Sequence, residues 1–549
     1  MTYQERYQDW LQWCDDVTKA ELLSLSDEKE IEDRFYKELE FGTAGLRGIM
    51  GSGSNRMNSY TVARATKGLS MYLRSTYGQN LSRGVVIAYD SRNHSKEFAL
   101  EAAHVLCAEG IPVRIFKELE PIPVLSFAVK HFHALGGIVI TASHNPPEYN
   151  GYKVYGENGG QLVPKDADRL TAFVNQVTDL KSIERSGHKE LLTWLGQEVV
   201  GLYIDAIFKE SLYQGHPPAV SIVYTPLHGS GRVPVQQILT KAGFQDVHIV
   251  KAQEKPDGRF PTVRSPNPED RAALALGIET AETVGADLVI GTDPDSDRIG
   301  AAAKKDGQFQ LITGNQMGAL LVDFLCRMKK DSLTPHATLV KTVVTGELGA
   351  DIARRHGIQV EETLTGFKYI GEKISQYELD DTHDFLMGYE ESYGYLVGTH
   401  AQDKDAVVTA MLIAEMGAYW KSQGKTLIDA LDALYSLYGY CLDRLTSYTL
   451  KGVEGMKKIE SIMTVLRAEG SSLFGADFKS VLDYEKGIDG LPKENVLKFQ
   501  LKDGSWVAVR PSGTEPKIKF YASIKANHRD EGESRLAGYK DKWETLCGL

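Results

Sequence analysis

The sequence predicts an α/β protein built from several domains. Between Gly84 and Leu135 strand text alternates with helix text: Val85-Val86-Ile87-Ala88-Tyr89-Asp90 reads as a buried strand, Glu97 to Cys107 has helical spacing, and Ile111, Val113 and Ile115 fall at alternate positions. That β-α-β rhythm builds a mostly parallel sheet. A strand running into a polar loop recurs in three units along the chain, with no fixed sequence period. The 549 residues exceed one core, and at roughly 100–200 residues per domain they fill about three to five.

Composition narrows the class. A hydrophobic content of 42% with 25% charged residues matches an ordinary soluble chain rather than a disordered one. No apolar run reaches the roughly 18 residues of a membrane span, so no membrane partner is expected. The start, Met1-Thr2-Tyr3-Gln4-Glu5-Arg6, lacks a signal peptide's apolar segment. Cys14, Cys107, Cys326, Cys441 and Cys547 are scattered, with neither metal spacing nor a disulfide framework, which favours a reducing cytoplasm. A formal net charge of -12 argues against nucleic acid, yet leaves an anionic substrate open because local cations decide that.

In chain order, residues 1 to about 40 read as acidic helices, with Trp10, Leu11, Trp13 and Cys14 forming a packing face. Glu40 to Gly48 then sets three glycines around Arg47, a flexible loop presenting a guanidinium suited to bidentate phosphate contact; on these residues alone an ordinary turn is the stronger reading. Asp90 and Arg92 end the first strand and read as a structural ion pair. The apolar run Gly137-Ile138-Val139-Ile140 leads into Thr141 to Tyr155, where Asn145-Pro146-Pro147 stops helix and strand alike. Ser143 and His144 therefore sit on a tight loop beyond a strand's C-terminal end, where ligands bind in open α/β sheets. A hydroxyl beside an imidazole has the parts of an activated nucleophile, and also those of a plain turn.

A second unit begins near Pro217. Val220 to Tyr224 is a strand, and the Gly-rich turn through His228, Gly229 and Gly231 precedes helical text, a natural anion site in which His228 fixes the loop. Asp287 to Gly291 is the next strand and Thr292-Asp293-Pro294-Asp295-Ser296-Asp297-Arg298 the loop beyond it. Three carboxylates at alternate positions converge and repel unless a cation joins them, and a hard divalent ion such as Mg²⁺ resolves that. Pro294, Arg298 and the missing twelfth-position glutamate exclude an EF-hand. A third unit starts near Gln308, with strands at Leu339–Val344 and Val360–Leu364 leading to Thr365-Gly366-Phe367-Lys368. Its second edge, Phe385 to Gly394, carries Glu390 and Ser392, groups suited to sugar hydroxyls. Lys404 follows in His400 to Ala406, readable as an acid/base or as a surface lysine. From about residue 440 the text changes to charged helix (Val453 to Leu473) and alternating strands such as Trp506 to Val509. Arg510-Pro511-Ser512-Gly513-Thr514 then offers a guanidinium, hydroxyls and backbone donors, a cradle for phosphate.

The stretch Thr141-Ala142-Ser143-His144-Asn145-Pro146, continued by Asn150-Gly151-Tyr152-Lys153, closely resembles the phosphoserine loop of the α-D-phosphohexomutases, the family of phosphoglucomutase and phosphomannomutase. The Arg47 loop, the Asp293–Arg298 loop, the Glu390–Gly394 loop and the Arg510–Pro516 loop are similar to four further loops of that family, in its order. The resemblance implies four domains around a central cleft, three of mixed α/β form with similar sheet cores and a smaller α+β C-terminal one. Their expected limits are 1–206 (phosphoserine loop), 207–308 (metal loop), 309–438 (sugar-recognition loop) and 439–549 (phosphate-binding).

The resemblance further implies reversible interconversion of glucose 1-phosphate and glucose 6-phosphate, with phosphopentomutase or phosphomannomutase activity as the alternative. Ser143 would be the phosphoserine, with His144, Lys153 and Lys404 as further catalytic groups. Arg47, Arg298, Thr365, Gly366, Lys368, Glu390, Ser392, Arg510, Ser512, Gly513 and Thr514 would bind the sugar phosphate. Asp293, Asp295, Asp297 and a phosphoryl oxygen on Ser143 would hold one Mg²⁺, and glucose 1,6-bisphosphate would be the intermediate and activator. The small-molecule partner is thus a sugar phosphate; oligomeric state is not implied. Three departures bear on substrate choice: Ser296 and Tyr389 stand where glycine is usual, and Gly394 stands where the mannomutase branch has a histidine.

Overall fold

The computed structural model describes the chain apart from residues 43–44, 186–187, 214–218, 381, 451, 489 and 513–515, and the side chains of 189 and 453. Residues 1–40 form three short helices, Tyr3–Trp13, Asp16–Leu23 and Glu28–Phe35, which bury Trp10, Leu22 and Phe35 together. Four sheets follow. The first has β1 (Leu46–Ile49), β2 (Val85–Tyr89), β3 (Val113–Phe116), β4 (Gly136–Ile140), β5 (Tyr149–Gly156) and β6 (Leu192–Leu195), in the order β1-β5-β4-β2-β3-β6. The second has β7 (Ile222–Thr225), β8 (Val247–Ile249), β9 (Leu288–Thr292), β10 (Ile299–Lys305) and β11 (Gln308–Ile312), in the order β11-β10-β9-β7-β8. The third has β12 (Ala337–Thr342), β13 (Gln359–Thr363), β14 (Asp384–Glu390) and β15 (Gly394–Val397), in the order β13-β12-β14-β15.

These three sheets share one plan. A parallel core (β2 with β3 and β4; β7 with β8 and β9; β12 with β13 and β14) ends in a strand that turns back antiparallel on itself, β4 to β5, β9 to β10, β14 to β15. The polar loops singled out from sequence are those three turns. Each holds a non-glycine residue in the left-handed region, Ser143 (φ 52°), Ser296 (φ 51°) and Tyr393 (φ 64°). Such backbone costs of order 1–3 kcal/mol and persists where its surroundings over-determine it.

Two local expectations change. Arg47 lies on β1, paired with Gly151 of β5, rather than on a flexible loop, because alternate residues Leu46 and Gly48 are buried and anchor the strand. The sequence puts Gln308 at the start of the third unit; instead Gln308–Ile312 closes the second sheet, because Asp306-Gly307, both with positive φ, makes the tight hairpin turn that folds it back on β10.

The fourth sheet, β16 (Tyr440–Thr449), β17 (Phe478–Asp483), β18 (Leu497–Leu501), β19 (Trp506–Pro511) and β20 (Lys517–Ala526), is antiparallel throughout and backed by the helices Gly452–Glu469 and Arg529–Cys547. One apolar core runs without a break from Val86 and Val139 through Ile222 and Ile290 to Leu339 and Cys441, so the first three sheets are welded together. The fourth keeps its own core around Phe499, Phe520 and Trp543. No helix among the described residues is long and apolar enough to cross a membrane.

Candidate active site

Ser143 ends up beyond β4 through a short chain of hydrogen bonds. The Thr141 hydroxyl accepts from the Ser143 amide (2.8 Å) and donates to Asp90 (2.6 Å) and Asp295 (3.0 Å). Arg92 underpins the whole turn. Its guanidinium, stacked on Phe260, donates to the carbonyls of Ser143 (2.6 Å), Asn145, Pro146 (2.9 Å) and Tyr149 (3.0 Å), and sits 3.5 Å from Asp90 with both side chains fully enclosed. Asp90 and Arg92 are therefore the structural ion pair the sequence predicts. Replacing Arg92 by alanine leaves a buried carboxylate and four carbonyls without their partner, so stability should fall by about 3–5 kcal/mol, measured by urea unfolding; a midpoint matching wild type would refute the role.

The Ser143 hydroxyl donates to Asp293 Oδ2 at 2.8 Å and lies 3.2 Å from His144 Nδ1. Burial, reinforced by the cations Arg298 and Arg47, holds His144 well below the ordinary imidazole range, so it is neutral. Asp293, Asp295 and Asp297 are all buried, with one oxygen of each within 4.8 Å of the others. Burial and its two carboxylate neighbours push Asp293 far above the usual range. For Asp295 burial acts the same way, but Lys153 outweighs it and holds the carboxyl down. Lys153 Nζ stands 3.0 Å from Asp295 and 3.8 Å from Asp297, and Lys404 Nζ 3.1 Å from Asp297 and 2.9 Å from Asp403. Asp295 Oδ1 and Asp297 Oδ1 are buried without a hydrogen-bond partner. An oxygen-only donor set with two orphaned carboxylate oxygens fits a hard divalent cation.

Around this centre lie the other expected groups. Arg298 is partly buried, paired with Glu269 at 2.5 Å, its Nε unpartnered. Arg47 donates to Asn145 at 3.4 Å on the rim. Glu390, at the end of β14, accepts from the Gly366 amide at 2.9 Å, which joins the Thr365–Lys368 loop to the Glu390–Tyr393 turn holding Ser392. Gly366 has φ 122°, open to glycine alone, and the Thr365 hydroxyl is buried without a partner. Burial lowers Lys368 from its usual value. Arg510, at the end of β19, pairs with Glu494 at 2.9 Å, and the Ser512 amide donates to the Lys517 carbonyl. Gly513 and Thr514 lie outside the described residues.

Backbone bonds knit the loops from different sheets into one surface. Ile122 N donates to Asp295 O, Ala406 N to Ser296 O and Ile299 N to Tyr393 O, while the Ser265 hydroxyl donates to His144 O. His228 bridges Lys255 O (3.1 Å) and Thr262 (2.9 Å), the loop-fixing role expected of it.

Two of the three departures are packed inside the protein. Ser296 is fully buried, and its hydroxyl lies so near Gly231 that a Cβ there would be 2.4 Å away. Tyr389 stacks on Tyr395 behind β14, its ring filling the space over Gly318 and Gly349. Alternation along β14 puts Tyr389 and Glu390 on opposite faces of that sheet.

Sequence inspection misses Asp403, Glu269, Glu494 and Lys519. Glu269 and Glu494 are recognisable only as partners of Arg298 and Arg510, 29 and 16 residues away, and Asp403 only as the partner of the adjacent Lys404. Lys519 lies across from Arg510 on β20, its pKa lowered from the usual lysine value by burial and by the cations Arg510 and Arg298. The alternation Lys517-Ile518-Lys519 after the Arg510 loop was its available signal.

Comparison with known proteins accords with this geometry. Family models described as phosphoglucomutase/phosphomannomutase, alpha/beta/alpha domains I, II and III and C-terminal domain, match residues 38–181, 202–307, 313–438 and 453–528. The chain is 37% identical over 542 residues to a phosphoglucomutase of Staphylococcus aureus, covering 96% of this chain and 97% of that one. It is 36% identical over 549 residues to the phosphoglucomutase of Staphylococcus haemolyticus, covering 97% and 98%. In fold it is similar to a putative phosphomannomutase from Thermus thermophilus (TM-score 0.69, 23% identity, 92% of this chain and 99% of that one). It is likewise similar to parafusin, a phosphoglucomutase from Paramecium, in its open form (TM-score 0.71, 17% identity, 93% and 95%).

Proposed function

Since the chain belongs to the phosphoglucomutase/phosphomannomutase family, we propose that it interconverts glucose 1-phosphate and glucose 6-phosphate by way of phosphorylated Ser143. The observation that carries this is the Ser143 hydroxyl, 2.8 Å from a buried triad of carboxylates flanked by two lysines. The four units expected from the sequence are taken as its domains, with the limit between the second and third moved from 308 to 312 because Gln308–Ile312 closes the second sheet.

Phosphoserine at 143 gives its phosphoryl group to the free hydroxyl of the bound sugar phosphate. The resulting glucose 1,6-bisphosphate turns end for end, and its other phosphoryl returns to Ser143. The family is Mg²⁺-dependent; Asp293, Asp295, Asp297 and a phosphoryl oxygen on Ser143 would hold one ion, which would supply charge neutralisation during transfer. Lys153, tied to Asp295, lies against the transferring group and offsets its charge. Lys404 serves the sugar oxygens as acid/base: as the neutral amine it takes the proton of the attacking hydroxyl, and as the ammonium paired with Asp297 and Asp403 it returns that proton when the oxygen leaves. Neutral His144 orients the Ser143 oxygen. Glu390 and Ser392 bind sugar hydroxyls, with Thr365 and Gly366 holding that loop. Arg510, Ser512, Gly513 and Thr514 grip the phosphate that is not reacting, supported by the cations Arg47, Arg298 and Lys368. Five cysteines without a disulfide support a cytoplasmic setting.

Intact mass of the purified protein should show one phosphate, and turnover on glucose 1-phosphate should exceed that on mannose and ribose 1-phosphates. Preference for ribose would move the assignment to the pentomutase alternative. Arg510→Ala should raise KM, lower kcat and make activity depend more strongly on added glucose 1,6-bisphosphate, because the intermediate escapes before it turns. Arg510→Lys should recover part of the loss. Kinetics of Arg510→Ala equal to wild type on both ligands would remove that arginine from the phosphate site.

A further inference from the structure

We infer that Gly394 is a positioning residue: the missing side chain at 394 is the berth that holds Lys404 on Asp297. The inference rests on the role proposed for Lys404. Gly394 opens β15 and pairs with Glu390 across the turn. Its backbone is not in the left-handed region, so conformation alone would admit any L-residue. What excludes one is space. A Cβ at 394 would lie 2.2 Å from Lys404 Cδ and 2.8 Å from Cγ.

Lys404 has little freedom to step aside. The Asp403 carboxylate accepts from both its amide (2.8 Å) and its ammonium (2.9 Å), and that carboxylate is itself held by Tyr155 (2.9 Å) and Gln161 (2.7 Å) across the first sheet. Asp405 caps the helix Ala406–Ser422 immediately after it. Phe367, buried, has its ring centroid 5.4 Å from Nζ. With both ends of the lysine fixed, an obstacle at its middle carbons must pull Nζ off Asp297. A side chain at 394 and a lysine docked at 404 are therefore mutually exclusive, and the cleft carries one group at this point, supplied from 404.

The test is a double-mutant cycle of Gly394→Ala, Lys404→Ala and the pair, read by kcat, KM and thermal melting. Lys404→Ala should lower kcat about 100-fold, the usual worth of an acid/base group. Gly394→Ala should lower kcat tenfold or more with KM for glucose 1-phosphate little changed, and should melt below wild type. In the pair the crowding is relieved. Its kcat should equal that of Lys404→Ala rather than the product of the two losses, and its melting temperature should rise above that of Gly394→Ala. Losses that multiply, or Gly394→Ala with wild-type kcat while Lys404→Ala is impaired, would overturn the berth. Wild-type kcat in Lys404→Ala would instead overturn the role of Lys404; recovery of melting temperature in the pair would still support the steric coupling, and its absence would refute it.

Discussion

Ser143→Ala should abolish turnover and leave the protein without the phosphate proposed for that serine. The loss should reach at least about 10⁴-fold, since removing a covalent nucleophile leaves only binding and electrostatics. The variant should still fold, because the turn is held from below. Arg92 grips its carbonyls and Thr141 its amide, and neither contact uses the Ser143 hydroxyl. Removing that hydroxyl takes away its contacts with Asp293 and His144, each on the order of 1 kcal/mol. Intact-mass spectrometry, circular dichroism and turnover on the same preparation check all three outcomes. Turnover near wild type in Ser143→Ala would dismiss the serine as nucleophile, and phosphate retained on the variant would place the modification elsewhere.

Asp295→Asn carries the second largest effect, a fall in kcat of about 10²-fold or more with a rightward shift of the Mg²⁺ titration. Asp295 is the hinge of the charged centre. One oxygen accepts from Lys153 and Thr141 at 3.0 Å each, and the other is buried with nothing to bond to. The amide keeps the size of the side chain but loses its charge. Lys153 is then left with Asp297 at 3.8 Å as its remaining anion, and cation affinity falls because one of three carboxylates is gone. A titration and rate unchanged from wild type would remove this loop from the metal site. Chelation of divalent ions should stop the wild type and be reversed by added Mg²⁺.

Much of the fold was legible from local patterns. Val85 to Tyr89 and Gly136 to Ile140 are uninterrupted apolar runs, as parallel strands buried on both faces require, and the structure pairs them. The breaker at Asn145-Pro146-Pro147 marked the turn on which Ser143 sits. Arg47 misled because three glycines suggest a loop, whereas the neighbours Leu46 and Gly48 are pinned by burial against β5. Gln308 misled because the hairpin turn Asp306-Gly307 decides which sheet the next strand joins, and a domain boundary inferred from spacing does not see it.

By itself the sequence determined the chemistry of each loop. Alternating aspartates within one turn must converge whatever the rest of the chain does, since three short side chains on adjacent backbone have nowhere else to point. A serine held between an apolar run and two prolines must lie at a strand's end. Only the tertiary structure decided who pairs with whom. Ser143 meets Asp293, Lys153 meets Asp295, and Lys404 meets Asp297, each across more than a hundred residues or between separate sheets. Buried charges settle on the partners that strand order brings within reach, and strand order is set by the packing of whole sheets. The same holds for Gly394, which the sequence marks only as a departure from the family pattern. Its meaning lies in a lysine carbon chain that would be 2.2 Å from any side chain it carried.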